Sequence, residues 1–154
     1  MDKDFVELRH VSVCPMKDST AVFLVCEGKI LLMQTDAAFA EISARAMQGK
    51  PFPRPQTYEL LHAVCLGFEI RLEAVFITDY RDGVYFARLV YVMQNELGTK
   101  RLEVDARPSD AIVQSFLWRA NVFISRKVYE ATEDVTPLFK RAQKRESKNK
   151  GFAA

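Results

Sequence analysis

Residues 104–112, VDARPSDAI, carry the clearest structural signal in this chain, because a strand pattern changes into a helix pattern within them. Residues 101–106 alternate polar and apolar side chains, which predicts a strand with one charged face. The side chains on that face are Arg101, Glu103 and Asp105. Pro108 suits the first turn of an α-helix, which we expect to run to about Trp118. Ser109 and Asp110 then lie near the positive end of that helix.

The alternating pattern of strands and the three-to-four-residue pattern of helices also recur in the rest of the chain, where strands and helices come in separate clusters. Further strands are predicted at residues 5–14, 20–26, 30–34, from 68 to about 80, 85–93 and 122–124, and further helices at residues 37–48, 57–67 and 136–145. A parity switch near Arg9 predicts a bulge in the first strand. The order favours a single-domain α+β fold, with a largely antiparallel mixed sheet and helices packed on one side.

Local signals refine the turns and the helix ends. Asp82-Gly83 predicts a tight turn between two strands, and residues 20–26 are apolar throughout, as in a strand covered on both faces. Asp36 is a candidate N-cap for the first helix and Gly49 its C-terminal stop. Thr57 is a candidate N-cap for the second helix, which we expect to end at Gly67. The apolar stripe predicted to face the core from this helix is Leu60, Leu61, Val64 and Cys65.

Composition favours a soluble globular protein of 154 residues, with 49% hydrophobic residues and a net charge of +2. The longest apolar runs, residues 20–26 and 30–33, are far shorter than the ~20 residues that a membrane helix needs. The start MDKD lacks the layout of a signal peptide, so we expect a cytoplasmic protein without a membrane partner.

Charge is distributed unevenly along the chain. The segment from Lys140 onward has a net charge of +5, which leaves −3 for the rest. We therefore divide the chain into a domain at residues 1–132 and a basic, partly helical or disordered tail at residues 133–154. Such a tail either attracts nucleic acid in a salt-dependent way or is a solvated end without a partner. Its candidate nucleic-acid-binding residues are Lys140, Arg141, Lys144 and Arg145.

Three ordered segments resemble one family, the bifunctional nuclease domain. Residues 105–112 (DARPSDAI) resemble its signature, residues 53–61 (PRPQTYELL) are similar to its P-R-P-x-T-H-D-L-L, and residues 77–89 (ITDYRDGVYFARL) are similar to its I-T-D-L-K-D-G-x-F-Y-A-R-L. The resemblance covers about residues 6–130. It implies RNase and DNase activity, an α+β fold and homo-oligomers, commonly dimers. Two positions depart from the family pattern: Phe39 stands where the family has glutamate, and Tyr58-Glu59 replaces its His-Asp pair.

Side chains near the signature are of the types that phosphodiester hydrolysis uses. Carboxylates hold divalent metals or act as general bases, and arginine binds phosphate in a bidentate way. The predicted catalytic residues are Glu59, Asp105, Arg107 and Asp110, with Glu59, Asp105 and Asp110 as ligands of Mg²⁺ or Mn²⁺ and Arg54 as a nucleic-acid contact. Glu59 joins this site only if the second helix packs nearby. The same residues also fit a purely structural cluster, in which Arg107 pairs with a carboxylate and Asp110 favours the helix start.

Two hypotheses about function follow. The first is a metal-assisted nuclease of low sequence specificity that acts on RNA or DNA. The second is a non-catalytic oligomeric module with a degenerate site, which binds nucleic acid or a protein. Both include a homo-oligomer, with a dimer favoured.

Overall fold

The structure of the chain, a computed structural model, describes residues 4–151. The start of the chain, residues 1–3, and residues 152–154 lie outside this part. The strands are β1 (Phe5–Pro15), β2 (Thr20–Cys26), β3 (Lys29–Thr35), β4 (Ile70–Arg81), β5 (Val84–Asn95), β6 (Gly98–Ala106) and β7 (Asn121–Ser125). The helices are α1 (Phe39–Gln48), α2 (Thr57–Gly67), α3 (Pro108–Trp118), α4 (Arg126–Ala131) and α5 (Thr136–Gly151).

The strands form one seven-stranded mixed sheet in the order β3-β2-β1-β7-β4-β5-β6. Neighbouring strands pair antiparallel except β4 and β7, which are parallel. The predicted α+β class with a largely antiparallel mixed sheet is therefore confirmed. The short strand β7 lies between β1 and β4 and so joins the two halves of the sheet.

Backbone geometry explains the turns and the bulge. Asp82 and Gly83 have φ values of 52° and 79°, so both adopt the left-handed conformation that a two-residue hairpin turn between β4 and β5 requires. In β1 the register shifts between Leu8 and His10. Because of this bulge, Val6 and Leu8 before it and Val11 and Val13 after it all pack on the same core.

Hydrophobic clusters lie on both faces of the sheet. The main core holds side chains of α1, α3 and α4 against the sheet, with Phe39, Ile77, Ile112 and Ile124 fully buried. Phe23 of β2 points to the opposite face, where its ring centroid lies 5.1 Å from that of Phe139 in α5. The helices α1–α3 lie on one side of the sheet, whereas α5 packs on the other face of β2 and β3, so the helices are not all on one side as predicted.

Two sequence predictions of detail were wrong, and one helix was missed. In α2, Leu60, Val64 and Leu61 are 58%, 48% and 43% exposed, and of the predicted stripe only Cys65 is buried. Phe68 is 70% exposed and precedes β4, because the chain turns before Ile70. The short helix α4 was not predicted.

The helix ends agree with the sequence only in part. The N-caps are Ala38 in α1 and Gln56 in α2, not the predicted Asp36 and Thr57. The Asp36 carboxylate still accepts a hydrogen bond from the amide of Phe39 at 3.1 Å, and Gly49 closes α1 with φ of 64° as predicted. Helix α3 has the predicted bounds. Helix α5 extends to Gly151, beyond the predicted end. No helix within residues 4–151 is long and apolar enough to span a membrane.

Candidate active site

The turn between β6 and α3 is held by an ion pair between Arg107 and Asp110. Arg107 is the N-cap of α3 in an extended conformation, Pro108 occupies the first helical position, and Asp110 lies in the first turn. The guanidinium donates from Nε to Asp110 Oδ2 at 2.8 Å and from NH2 to Oδ1 at 2.9 Å. The hydrogen bonds and the charge of Asp110 raise the pKa of Arg107. The geometry is the bidentate arrangement that arginine prefers with a carboxylate.

Tyr58 of α2 completes this cluster. Its hydroxyl donates to Asp110 Oδ1 at 3.0 Å, so α2 and α3 are joined at the candidate site. Burial, followed by the hydrogen bond to Asp110, raises the pKa of Tyr58. Tyr58, which stands where the family has histidine, is therefore a hydrogen-bonding member of the cluster.

A chain of contacts through Gln114 and Trp118 connects the backbone of Tyr58 to α3. Gln114 donates from Nε2 to the Tyr58 carbonyl oxygen at 3.2 Å and accepts from Trp118 Nε1 at 3.2 Å. The ring of His62 lies edge-on to Trp118, with 4.4 Å between centroids. Gln114 is almost fully buried, so its amide is satisfied within the protein rather than by solvent. These contacts fix α2 against α3.

Glu59 lies on α2 but makes a different set of contacts. Its Oε1 accepts from the amide of Phe52 at 3.0 Å and its Oε2 from the amide of Gln56 at 2.8 Å. A glutamate three residues into a helix that bonds back to the N-cap amide is a capping arrangement. Both oxygens of Glu59 are therefore committed to the backbone of the proline-rich connector.

Asp105 and Arg107 line one cavity of about 560 Å³. The cavity lies between the end of β3 and the β6–α3 turn, and its lining includes Gln34, Thr35 and Ser109. The Tyr85 hydroxyl donates to the Leu32 carbonyl oxygen at 3.1 Å and so ties β5 to the outer edge of β3 beside it. The Asp105 side chain is exposed and makes no hydrogen bond or ion pair with the described part of the chain. The neighbouring Glu103 pairs with Arg88 at 3.3 Å.

Glu59, Asp105 and Asp110 are not brought together as a three-carboxylate set. Within residues 4–151 no group of three or more His, Cys, Asp or Glu side chains is placed to hold a metal ion. Asp110 is taken by Arg107 and Tyr58, and Glu59 by two amides, which leaves only Asp105 free of partners. These residues as arranged do not fit a carboxylate cage for Mg²⁺ or Mn²⁺, so the metal stays a prediction from the sequence.

The predicted nucleic-acid contacts lie at two further places. Arg54 is exposed in the connector before α2. Lys140, Arg141, Lys144 and Arg145 are exposed on α5, while Phe139 is buried beneath them. Because residues three or four apart share a helix face, the four cations form one basic stripe on the outside of α5. The stripe is thus on a helix that packs on the domain through Phe139.

Sequence reasoning missed Gln114, Trp118 and Arg119 around the site. Gln114 follows Asp110 by four residues, so helical spacing placed both on the same face of α3 and was a usable signal. Trp118 continues this spacing by a further four. No sequence signal indicated Arg119, whose φ of 52° is unusual for a residue other than glycine.

The fold and the site together define an α+β domain with an arginine–aspartate pair at a strand-to-helix turn beside a surface cavity. A family model described as the bifunctional nuclease domain matches residues 22–136 of the chain. The chain therefore belongs to the bifunctional nuclease domain family. No curated protein sequence matches it significantly.

Proposed function

We propose that the chain is a nuclease of low sequence specificity whose substrate phosphodiester binds in the cavity between β3 and the β6–α3 turn. The observation that carries the proposal is the presence of Asp105, an unpaired carboxylate, and Arg107 on the lining of the same cavity. Family membership supports a nuclease-related role. Because Asp105 and Arg107 are proposed to contact only the phosphodiester and not the bases, we expect RNA and DNA of any sequence to compete for the site.

Arg107 is the phosphate ligand in this proposal. Its side chain is 71% exposed, so the guanidinium has donors available beyond those that bind Asp110. Asp110 and Tyr58 are positioning residues, because they hold the guanidinium at the turn. The open amides at the start of α3 add positive potential beside Arg107.

Asp105 is the base in the hydrolytic step. A water molecule loses a proton to the Asp105 carboxylate while its oxygen attacks phosphorus. The bond from phosphorus to one sugar oxygen breaks, and that oxygen takes a proton from solvent. The products are a phosphomonoester and a hydroxyl end, and Arg107 stabilises the negative charge that develops on the phosphoryl oxygens.

The test is cleavage of labelled single-stranded RNA and DNA by the purified protein, with Mg²⁺, Mn²⁺ or EDTA. We expect Asp105→Asn to reduce cleavage by at least about a hundredfold, the usual scale for a lost general base. The matched control is Glu103→Gln. Glu103 lies two residues before Asp105 on the same face of β6 but does not line the cavity. Equal cleavage by Asp105→Asn and the native protein would contradict the proposal, and the EDTA arm decides the metal requirement.

A second candidate function is a non-catalytic nucleic-acid-binding module, and the basic stripe of α5 favours it. Lys140, Arg141, Lys144 and Arg145 are all exposed on this helix. Cations on a helix face release counterions from a phosphate backbone without reading sequence. The pairing of both Asp110 oxygens with Arg107 also suits a site that holds structure rather than reacts.

Charge removal on α5 tests this candidate. Changing all four stripe residues to Gln keeps Phe139 in place, and we expect weaker binding with a salt slope lower by about one per lost phosphate contact. A variant that exchanges Lys and Arg at the same four positions keeps the charge and serves as the control. Unchanged binding in the Gln variant would rule out the stripe as the binding surface.

We also propose that two copies associate through α2. Residues 60–68 contain no Asp, Glu, Lys or Arg, and Leu60, Val64 and Phe68 are exposed at helical spacing. An uncharged apolar face meets a copy of itself without like-charge repulsion, as an isologous dimer requires. Leu102 of β6 is also exposed, and it pairs with Tyr91, which lies with Cys65 of α2 in the main core.

The molar mass in solution measures this association. We expect a dimer for the native chain by light scattering and a monomer for Val64→Glu. Leu97→Glu places the same charge on a leucine that is 97% exposed at a hairpin tip, and it is expected to leave the mass unchanged. A native monomer at high concentration would contradict the proposal.

A further inference from the structure

A second cavity, of about 340 Å³, lies where α1, α2 and α3 meet the connector at residues 49–56. It is separate from the cavity of Asp105 and Arg107 and shares no lining residue with it. Its floor is apolar and consists of Ile42, Ala46, Val113, Phe116 and Leu117. A volume of this order is at the lower end of the range for small-molecule sites.

Positive charge surrounds the mouth of this cavity. Arg45, Lys50 and Arg119 line it together with one carboxylate, Glu59, whose oxygens bind two backbone amides. Lys50 and Arg119 form no ion pair within the described part of the chain. The two unpaired cations are therefore available to an anionic group.

An aromatic edge and polar groups complete the lining. The Arg45 guanidinium lies over the Phe52 ring at 4.6 Å from its centroid, which fixes the ring at the cavity rim. His62 also lines the cavity, and burial lowers its pKa, which favours the neutral ring with one donor and one acceptor nitrogen. The cavity thus combines an apolar floor, an aromatic ring, polar groups and cations.

We propose that this cavity binds a single nucleotide, with the base on the apolar floor and the phosphate at Lys50 and Arg119. A simple polyanion leaves the apolar floor in contact with water, and a fatty acid leaves the polar wall without partners. A nucleotide has a flat ring with polar edges and a phosphate, which match the floor, the wall and the rim in turn. The nucleotide is either a free nucleoside monophosphate or the terminal nucleotide of a strand.

Tyr58 connects this cavity to the candidate active site. It lines the cavity, and its hydroxyl bonds to Asp110, which holds Arg107. The cavity is therefore linked to Arg107 of the proposed phosphodiester site through two side chains, Tyr58 and Asp110. The binding proposal does not depend on cleavage, because it concerns different lining residues and no bond is broken.

Isothermal titration in EDTA tests the binding with the full chain. The ligands are the four 5′-nucleoside monophosphates, the matching nucleosides, inorganic phosphate and a 5′-phosphorylated oligonucleotide of six residues. We expect saturable binding of at least one monophosphate or of the oligonucleotide, at least tenfold tighter than the nucleoside or phosphate. Preference for the monophosphate identifies a free nucleotide, and preference for the oligonucleotide identifies a strand end.

Two variants locate the ligand. Lys50→Gln combined with Arg119→Gly removes both free cations, and glycine relieves the left-handed backbone at residue 119, so the protein is expected to fold. This variant should bind at least tenfold more weakly, whereas Lys100→Gln, which changes an exposed lysine of the edge strand β6 outside the cavity lining, should bind as the native chain does. Ala46→Leu, which fills the floor, should weaken binding in the same way.

Three results would overturn the proposal. These are the absence of saturable binding of any nucleotide at millimolar concentration, equal binding by the cation variant, and binding of inorganic phosphate as tight as that of the nucleotide. The Asp105→Asn protein keeps the cavity intact and should retain binding. Loss of cleavage with binding retained would therefore separate this site from the proposed nuclease site.

Discussion

The helices α2 and α3 each have an acidic residue at their third position, yet the two acids bind different partners. Glu59 in α2 bonds to the amides of Phe52 and Gln56, at 3.0 and 2.8 Å. Asp110 in α3 bonds to the side chains of Arg107 and Tyr58. Glu59 therefore stabilises the backbone of the connector, whereas Asp110 positions the guanidinium of Arg107 beside a cavity.

Side-chain length and the neighbouring residue explain the difference. Glu59 is one methylene longer than Asp110 and reaches back to the N-cap amide, as in a capping box. In α3 the N-cap residue is itself an arginine, whose side chain takes both oxygens of the shorter carboxylate. An acid near a helix start is therefore not a functional signal by itself, and its partners decide its role.

The largest expected stability effect comes from Glu59. Changing Glu59 to Ala leaves two amides without their acceptor, and we expect the free energy of unfolding to fall by about 1–2 kcal/mol. Urea unfolding followed by circular dichroism measures it. The control is Glu130→Ala, an exposed acid in α4 that should change stability by less than about 0.5 kcal/mol. If Glu59→Ala also cleaved nucleic acid more slowly per folded molecule, Glu59 would have a functional role and its contrast with Asp110 would be wrong.

The next effect in size comes from Tyr58. Tyr58→Phe removes the hydroxyl that donates to Asp110, and we expect a loss of about 0.5–1.5 kcal/mol. A double-mutant cycle with Asp110→Asn isolates the coupling between the two side chains. Additive losses in the double variant would show that the hydrogen bond contributes nothing to stability.

Arg107 should affect stability least and function most. Its pair with Asp110 is largely exposed on the arginine side, and such pairs contribute about 0–1 kcal/mol. Arg107→Lys keeps the charge but loses the bidentate geometry, so we expect nucleic-acid cleavage to fall at least tenfold with unfolding nearly unchanged. Unfolding measurements and cleavage rates on the same preparation test this. A large destabilisation with normal cleavage would make Arg107 a structural residue like Glu59.

The pH dependence of the free energy of unfolding compares a tyrosine of the site with two tyrosines of the core. We expect these tyrosines to change stability only at alkaline pH. Burial raises the pKa of Tyr58, and it raises the pKa values of Tyr85 and Tyr91 to about 12. Above pH 10 the unfolded chain loses these protons before the folded chain does, so stability falls as pH rises from 10 towards 12. Urea unfolding at pH 9, 10 and 11 measures the fall. Tyr85→Phe should make it less steep, and an unchanged fall would contradict the assignment.

The sequence predicted most of the local structure around the site. The bounds of α3, the Asp82-Gly83 turn, the bulge in β1 and the α+β class all follow from short-range patterns. The apolar stripe of α2 was wrong because periodicity reports which residues share a face and not what covers that face. Helix α4 was missed because six residues are too short for a helical period to be recognised.

By itself, the sequence determined the family, the strand-to-helix turn at Arg107 and the basic stripe of α5. The turn and the stripe depend on residues within one helical turn or one strand of each other, and the family on three short segments in a fixed order. Only the tertiary structure decided that Tyr58 reaches Asp110, that Glu59 does not join it, and that Asp105 is left free beside a cavity. These outcomes depend on how α2 packs on α3 and how β3 approaches β5, contacts between residues about 50 apart in the chain. Packing over such separations is set by the whole core, and for that reason no local pattern encodes it.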